Sequence, residues 1–440
     1  MTRGETAYVF NAASGCLLGI PIEQYREYRR LMDGDDTADC PPGVLGNLVA
    51  GRMLVTDEAD EVAGLAARYR SSRDDRSHFA LTVVTSLGCN FDCPYCFEAK
   101  HPSIVDSDVQ DMIFRVLDDQ LPRIRTFHVT WFGGEPLVGK RPLLELSDTF
   151  IARCDAQGVA YSATIVTNGY LLDEVTCAQL RARRVDTAQV GLDGPPDVHN
   201  RMRPLASGKG SFDTILSNLR HAVEHLSIRV RVNLDQANVD RVEELFAILA
   251  AEGLAGKLSV YPGQIVGVAE NLLSPSASYG NCLSNPEFAG AERQFFALAE
   301  RYGLAAPNLP RPTGAPCTAV RANELVVGSR GELYKCWDTV GEHREVVGHI
   351  SDYANPNGRL AKWLQYDPFS NDECRTCIAL PVCMGGCAHH AFDERRYENR
   401  CGTFRHTYHD QVDAFVDYAE RRGVMHLTPV TRLAREMETR

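Results

Sequence analysis

The sequence predicts an α/β protein in which six βα units form a partial, TIM-like barrel, (β/α)6, between a small N-terminal α+β unit and a cysteine-rich C-terminal part. Two observations carry this. From His78 to Val266, apolar runs of strand length alternate with longer stretches of helical periodicity, the signature of repeated βα units. Short motifs also follow the strand candidates in turn: CNFDCPYC after the first, GGEP after the second, TNG after the third and DG after the fourth. That order is expected where loops at the C-terminal ends of parallel strands build the working face.

In chain order, residues 1–75 read as a separate unit with a hairpin across Tyr8–Ile20, a helix over Ile22–Met32, a break at Pro41-Pro42 and a second helix ending near Arg70. The barrel, 76–268, has strand candidates at His78–Ser86, Phe127–Gly133, Tyr161–Asn168, Thr187–Asp193, Ile228–Asp235 and Lys257–Val266, each rich in Val, Ile, Phe or Thr. Between them lie helix candidates around Asp106–Gln120, Pro142–Gln157, Asp173–Arg183, Phe212–His225 and Val239–Ala251, with Ser107 and Asp173 as start signals and Gly158 and Gly253 as stops. A helical connector is expected over 269–306, a Gly-, Pro- and Cys-rich unit over 307–405, and a helical tail over 406–440.

Composition bounds the function. With 440 residues, 44% apolar and 24% charged, the chain suits a globular protein of two or three units. No apolar run approaches the roughly 20 residues of a membrane span, and the opening MTRGETAY lacks the apolar core of a secretory signal, so no membrane partner and a cytoplasmic location are expected. In that reducing compartment, 15 clustered cysteines point to metal or cluster ligation rather than disulfides. A net charge of -12 argues against a nucleic acid partner.

Cys89-x3-Cys93-x2-Cys96 supplies three thiolates from one loop. A structural zinc site would want a fourth ligand to close it; a four-iron cluster held by three cysteines leaves one iron open to a small molecule. Downstream, Gly133 and Gly134 remove side chains so that backbone can approach a ligand, Glu135 offers a carboxylate to a cationic amine, and Pro136 fixes the exit of the loop.

This CxxxCxxC motif after the first barrel strand, with its matching loops downstream, resembles the radical S-adenosylmethionine (radical SAM) superfamily. The resemblance implies that Cys89, Cys93 and Cys96 hold a [4Fe-4S] cluster whose open iron is chelated by S-adenosylmethionine. The cofactor is then cleaved reductively to a 5′-deoxyadenosyl radical that abstracts a substrate hydrogen. It further implies that Gly133, Gly134, Glu135 and Pro136 hold the methionyl amine, that Thr167 and Asn168 lie near the ribose with Asp193 at the same rim, and that Tyr95 lies against adenine. Arg203 and Asn233 also match family-like positions.

The C-terminal pattern is Cys317, Gly331-x4-Cys336, Cys374-x2-Cys377-x5-Cys383-x3-Cys387 and Cys401. It resembles the SPASM extension, which carries two auxiliary clusters and would bring the total to three [4Fe-4S] clusters. By that resemblance, Cys374, Cys377, Cys383 and Cys401 close one auxiliary cluster, while Cys317, Cys336 and Cys387 hold the other with one ligand missing. An open iron there would suit a substrate thiolate; the alternatives are water, a noncysteine side chain or the distant Cys282. Cys16, Cys40, Cys154 and Cys177 read as apolar fillers or incidental thiols, and His389-His390, adjoining Cys387, reads as capping or ordering the turn, with contact to a cluster as the alternative.

This order of units resembles maturases of ribosomally made peptides, in some of which a winged-helix-like N-terminal module captures the leader of the precursor by strand addition. Here Tyr8–Leu18 would offer that strand beside Ile22–Met32; the alternative is that residues 1–75 merely cap the barrel. The implied activity is formation of a thioether or another crosslink in a precursor peptide, with flavodoxin or ferredoxin as reductant. Sulfatase-maturase-like formylglycine formation and peptide epimerisation are alternatives, as is, from another class, an iron–sulfur electron carrier or scaffold. In sulfatase maturases an Asp directly follows the Gly-x4-Cys cysteine; here Trp337 stands there and Asp338 one later, which counts against that alternative. No catalytic acid or base is identifiable from the sequence.

Overall fold

The computed structural model describes residues 2–35, 42–98, 100–267, 275–394 and 396–423. Cys40, Pro41, the first part of the expected connector and the tail beyond 423 lie outside the described residues. The N-terminal unit is a three-stranded antiparallel sheet, β1 (Thr2–Arg3), β2 (Thr6–Asn11) and β3 (Cys16–Pro21), followed by α1 (Ile22–Met32), α2 (Pro42–Ala50) and α3 (Glu61–Arg73). Ile20, Tyr28, Leu31 and Leu48 form its own small core. Two expectations change. Pro42 opens a further helix, α2, beyond the two expected, as proline's fixed φ and missing N–H allow at a first helical position. And β2, which contains Tyr8, is the central strand, so the longer outer strand is β3.

The barrel strands are β4 (His78–Ser86), β5 (Thr126–Gly133), β6 (Ala160–Thr167), β7 (Val185–Gly191), β8 (Ser227–Leu234) and β9 (Leu258–Gln264), all paired in parallel in sequence order. Helices α4 (Ser107–Gln120), α5 (Lys140–Gln157), α6 (Glu174–Ala182), α7 (Pro196–Met202), α8 (Phe212–His225) and α9 (Val242–Ala251) connect them. Local chemistry sets their ends. Asp106, not Ser107, caps α4 by accepting from the N–H of Val109, and Asp173 caps α6 by accepting from that of Thr176. Gly158 ends α5 at φ 68°, a conformation that glycine adopts without strain. Trp131, Phe127 and Phe150 pack fully buried between sheet and helices.

After α10 (Asn285–Arg301), opened by a Ser284/Glu287 capping box, the chain does not leave the barrel. Strands β10 (Glu324–Val327), β11 (Glu332–Tyr334) and β12 (Gly348–His349) extend its sheet to nine strands among the described residues, in the order β12-β11-β10-β4-β5-β6-β7-β8-β9. β10 runs parallel to β4, with Glu324 opposite Ala80. Four short helices follow, α11 (Arg359–Leu364), α12 (Asp372–Arg375), α13 (Leu380–Cys383) and α14 (Ala388–Ala391), then the long α15 (Phe404–Arg422). α15 is tied to the N-terminal sheet: Asp413 and Asp417 accept from Arg3 at 2.6 and 2.7 Å, and Glu420 accepts from the Tyr8 hydroxyl at 2.6 Å.

Candidate active site

The loop after β4 carries the first three cysteines and is latched in place by backbone. Asp92 donates to the carbonyl of Pro204, Ala206 donates to that of Asn90, and Lys100 Nζ donates to that of Phe91 at 2.7 Å. The N–H of Phe91 points at Cys89 Sγ, 3.4 Å away. Burial pushes the Cys89 thiol up to about 11 and Cys96 up to about 12, and raises Cys93 as well. Thiols so buried keep their protons unless a metal displaces them. A trio of soft donors on one loop, facing a cavity, suits that displacement.

That cavity, of 420 Å³, opens at the C-terminal ends of the barrel strands. Its floor is the cysteine loop; Gly133 and Gly134 follow β5 on one wall, with Thr167 and Asn168 beside them at the end of β6. The glycines are required by close approach. A Cβ on Gly134 would lie 2.8 Å from the Leu87 carbonyl oxygen and 2.9 Å from that of Gly88. The far wall is polar, with Gln189, Arg231, Asn233 and Gln264 at the ends of β7, β8 and β9.

Glu135 and Asp193 do not line this cavity. The Glu135 carboxylate is fully buried and accepts from Leu137 N at 2.9 Å, Thr167 Oγ1 at 2.7 Å and Asn168 N at 2.7 Å. It stitches the β5 loop to the β6 loop. Burial raises its pKa, and those three donors hold it down in part. Pro136 is buried, its carbonyl accepting from Thr85 Oγ1. Asp193, also fully buried, accepts from the Tyr95 hydroxyl and from Asn233 N at 2.9 Å. The Tyr95 oxygen in turn accepts from Arg203 Nη1 at 2.8 Å and Asn233 Nδ2 at 3.2 Å. Arg203 lies 3.7 Å from Asp193 and uses the space that glycine leaves at Gly191, where a Cβ would be 2.6 Å from its guanidinium carbon. This network holds the Tyr95 ring at the cavity edge.

The C-terminal part closes the mouth. Trp337, Asp338, His390 and Arg396 face the cavity, and the Trp337 ring packs 5.4 Å from that of Phe132 in β5. Burial raises Asp338, opposed by His390, Arg231 and Arg396. His390 Nδ1 donates to the Asn399 carbonyl at 3.0 Å, which orients its ring. Sequence reasoning missed Glu98, Arg231 and Arg396 on these walls; they stand singly, outside any motif. Alternation along β8 does place Arg231 and Asn233 on one side of the strand end. Glu98 is deeply buried, and burial pushes it up to about 8.

The seven remaining motif cysteines form two groups. Cys374, Cys377, Cys383 and Cys401 line one small cavity of 20 Å³, with Arg405 Nη1 3.7 Å from Cys401 Sγ. Cys317, Cys336 and Cys387 lie close enough that charge on one raises another. Beside them, Cys336 Sγ, an Asp338 oxygen and a His389 ring nitrogen lie within 4.8 Å of one another. Cys282 is elsewhere, packed with Val198, Met202 and Ile265. Cys154 and Cys177 are fully buried in the barrel core, as fillers should be.

Residues 83–249 match the Radical SAM superfamily. The chain is 24% identical over 327 residues to a serine-type anaerobic sulfatase-maturating enzyme of Klebsiella pneumoniae, spanning 69% of this chain and 79% of that one. It is 27% identical over 328 residues to the mycofactocin maturase MftC of Mycolicibacterium smegmatis, spanning 70% and 77%. Two solved structures share its fold. One is anSMEcpe with bound AdoMet and a Cp18Cys peptide (TM-score 0.57, 16% identity, 80% of this chain and 99% of that one). The other is Streptococcus suis SuiB bound to its precursor peptide SuiA (TM-score 0.52, 13% identity, 91% and 98%).

Proposed function

We propose that this chain, which belongs to the Radical SAM superfamily and is an enzyme acting on a peptide or protein, installs a thioether or other side-chain crosslink in a ribosomally made precursor. The observation that carries the reading is the cavity itself. It is floored by the Cys89/Cys93/Cys96 loop and roofed by Trp337, Asp338 and His390 beside the Cys336 group. A side chain presented there would sit between two sets of cluster-type ligands.

The residues suit the cofactors this reading requires. Cys89, Cys93 and Cys96 would hold the radical-forming cluster, and the cradle at Gly133 and Gly134, which a Cβ would fill, would admit the methionyl end of S-adenosylmethionine. When bound, that pair supplies a 5′-deoxyadenosyl radical by reductive cleavage. Thr167, Asn168 and Tyr95 would orient the nucleoside. Glu135 and Asp193 position these groups from behind. Cys374, Cys377, Cys383 and Cys401 would hold one auxiliary cluster and Cys317, Cys336 and Cys387 the other, with flavodoxin or ferredoxin as electron donor. Residues 1–75 would capture the precursor's leader as an added strand along the outer edge of β3, rather than along Tyr8–Leu18, since β2 is internal.

Coexpression with a candidate precursor followed by tandem mass spectrometry tests this. Loss of two hydrogens with fragmentation that skips the bridged residues supports crosslinking; an unchanged precursor in active preparations refutes it. One observation favours a second reading. Asp338 faces the cavity despite its offset in sequence, so formylglycine formation of the sulfatase-maturase kind retains a carboxylate near substrate. An aldehyde on the product, captured by a hydrazide, would identify that outcome.

A further inference from the structure

Three cysteines cannot complete the Cys317/Cys336/Cys387 site, and Cys282 packs with the barrel instead. Among the described residues, the group of His, Cys, Asp and Glu side chains with ligand atoms mutually within 4.8 Å is Cys336, Asp338 and His389. The two noncysteine members differ in what surrounds them. Asp338 faces the cavity, in the field of Arg231, Arg396 and His390. His389 is absent from the cavity wall; its ring lies 6.1 Å from that of Trp363, and its Nδ1 is buried with no hydrogen-bond partner. Its Nε2 has only a long 3.4 Å contact with Arg396. A ring nitrogen buried without a partner, on a half-buried imidazole, is unfavourable unless another group meets it. Cys387 precedes the short helix Ala388–Ala391 that carries His389, and His389 reaches this site through its nitrogen beside Cys336 Sγ.

We propose that His389 is the fourth protein ligand at the Cys317/Cys336/Cys387 site, closing it against a substrate thiolate. The inference rests on the reading of those three cysteines as cluster ligands. Imidazole is a competent iron ligand, and replacing a thiolate by neutral imidazole raises a cluster's potential. A thioether formed by this enzyme then has its sulfur positioned by the cavity walls and not by an auxiliary iron.

The test uses anaerobically reconstituted full-length protein with Cys89, Cys93 and Cys96 replaced by Ala, so that only auxiliary sites load. Pulsed electron paramagnetic resonance of the reduced protein, with and without ¹⁵N-histidine, reads nitrogen bound to iron. The expected result is about eight irons per chain, with a nitrogen coupling that changes isotope with the label. That coupling disappears in His389→Ala and persists in His390→Ala. Where His389→Ala loads poorly, His389→Cys keeps its iron, loses the coupling and shifts one midpoint potential to more negative values. About eight irons with no histidine coupling, or a coupling that survives His389→Ala, overturns the ligand assignment alone. About four irons in the parent overturns the cluster reading, and the ligand with it.

Discussion

Removing one oxygen atom, in Tyr95→Phe, tests whether the polar network beneath the cavity holds the site together. The Tyr95 hydroxyl is the single donor from a side chain to Asp193 and the shared acceptor for Arg203 Nη1 and Asn233 Nδ2. Its loss strands two donors, on buried Asn233 and partly buried Arg203, and removes one of two donors from a carboxylate that is 0% exposed. Each stranded group costs about 1–3 kcal/mol. Arg203, already 3.7 Å from Asp193, recovers part of this by moving onto the carboxylate, and Asn233 N still donates to it. The net cost is about 2–4 kcal/mol by that accounting. Local opening of β7 and β8 should then be about 30- to 900-fold more frequent, because each 1.36 kcal/mol is a factor of ten. Hydrogen–deuterium exchange of segments 185–193 and 227–235 reads this directly. Exchange within threefold of the parent in both segments would refute the network's role.

Two further predictions concern the cradle and the buried thiols. Gly134→Ala forces a Cβ against the Leu87 and Gly88 carbonyls, an overlap costing about 1–3 kcal/mol; S-adenosylmethionine affinity by anaerobic equilibrium dialysis should fall about tenfold or more, and an unchanged affinity contradicts the assignment. Burial raises Cys154 to about 11 and Cys177 to about 12, above an unfolded value of about 8.5. The folded state therefore binds these protons more tightly, so their contribution to stability is present below about pH 8.5 and is lost as pH rises through 11 to 12. At pH 8 native protein should alkylate at either thiol at least about a hundredfold more slowly than urea-unfolded protein; equal rates would show that these sites are open.

What was legible in the sequence was what is local. Each barrel strand falls within two residues of its expected limits, and α8, Phe212–His225, matches its expectation at both ends, because alternation and caps are written in neighbouring residues. The order of motifs after successive strands brought Cys89, Gly134, Thr167 and Asn168 to one cavity. Pairings across long separations were not legible: nothing near Glu324 announces a partner at Ala80, so the C-terminal strands read as a departure from the barrel. Motif membership also hides orientation. Glu135 and Asp193 sit in loops beside the cavity, yet both carboxylates turn inward to tie neighbouring strand ends. Arg231, outside any motif, turns outward onto the wall. Asp338 reaches the cavity because the turn after β11 is a 3-10 helix over Trp337–Thr339, which carries a residue two positions past Cys336 to the same wall.

The central claim is that one cysteine trio makes the radical while the other seven cysteines serve separate clusters. Anaerobic iron and sulfide quantitation of the parent beside the Cys89→Ala, Cys93→Ala, Cys96→Ala triple variant, with 5′-deoxyadenosine assayed in the same samples, tests it most directly. The account predicts about twelve irons falling to about eight, with deoxyadenosine lost. Near-zero iron with bound zinc in the reconstituted parent, or deoxyadenosine formed by the triple variant, would contradict it.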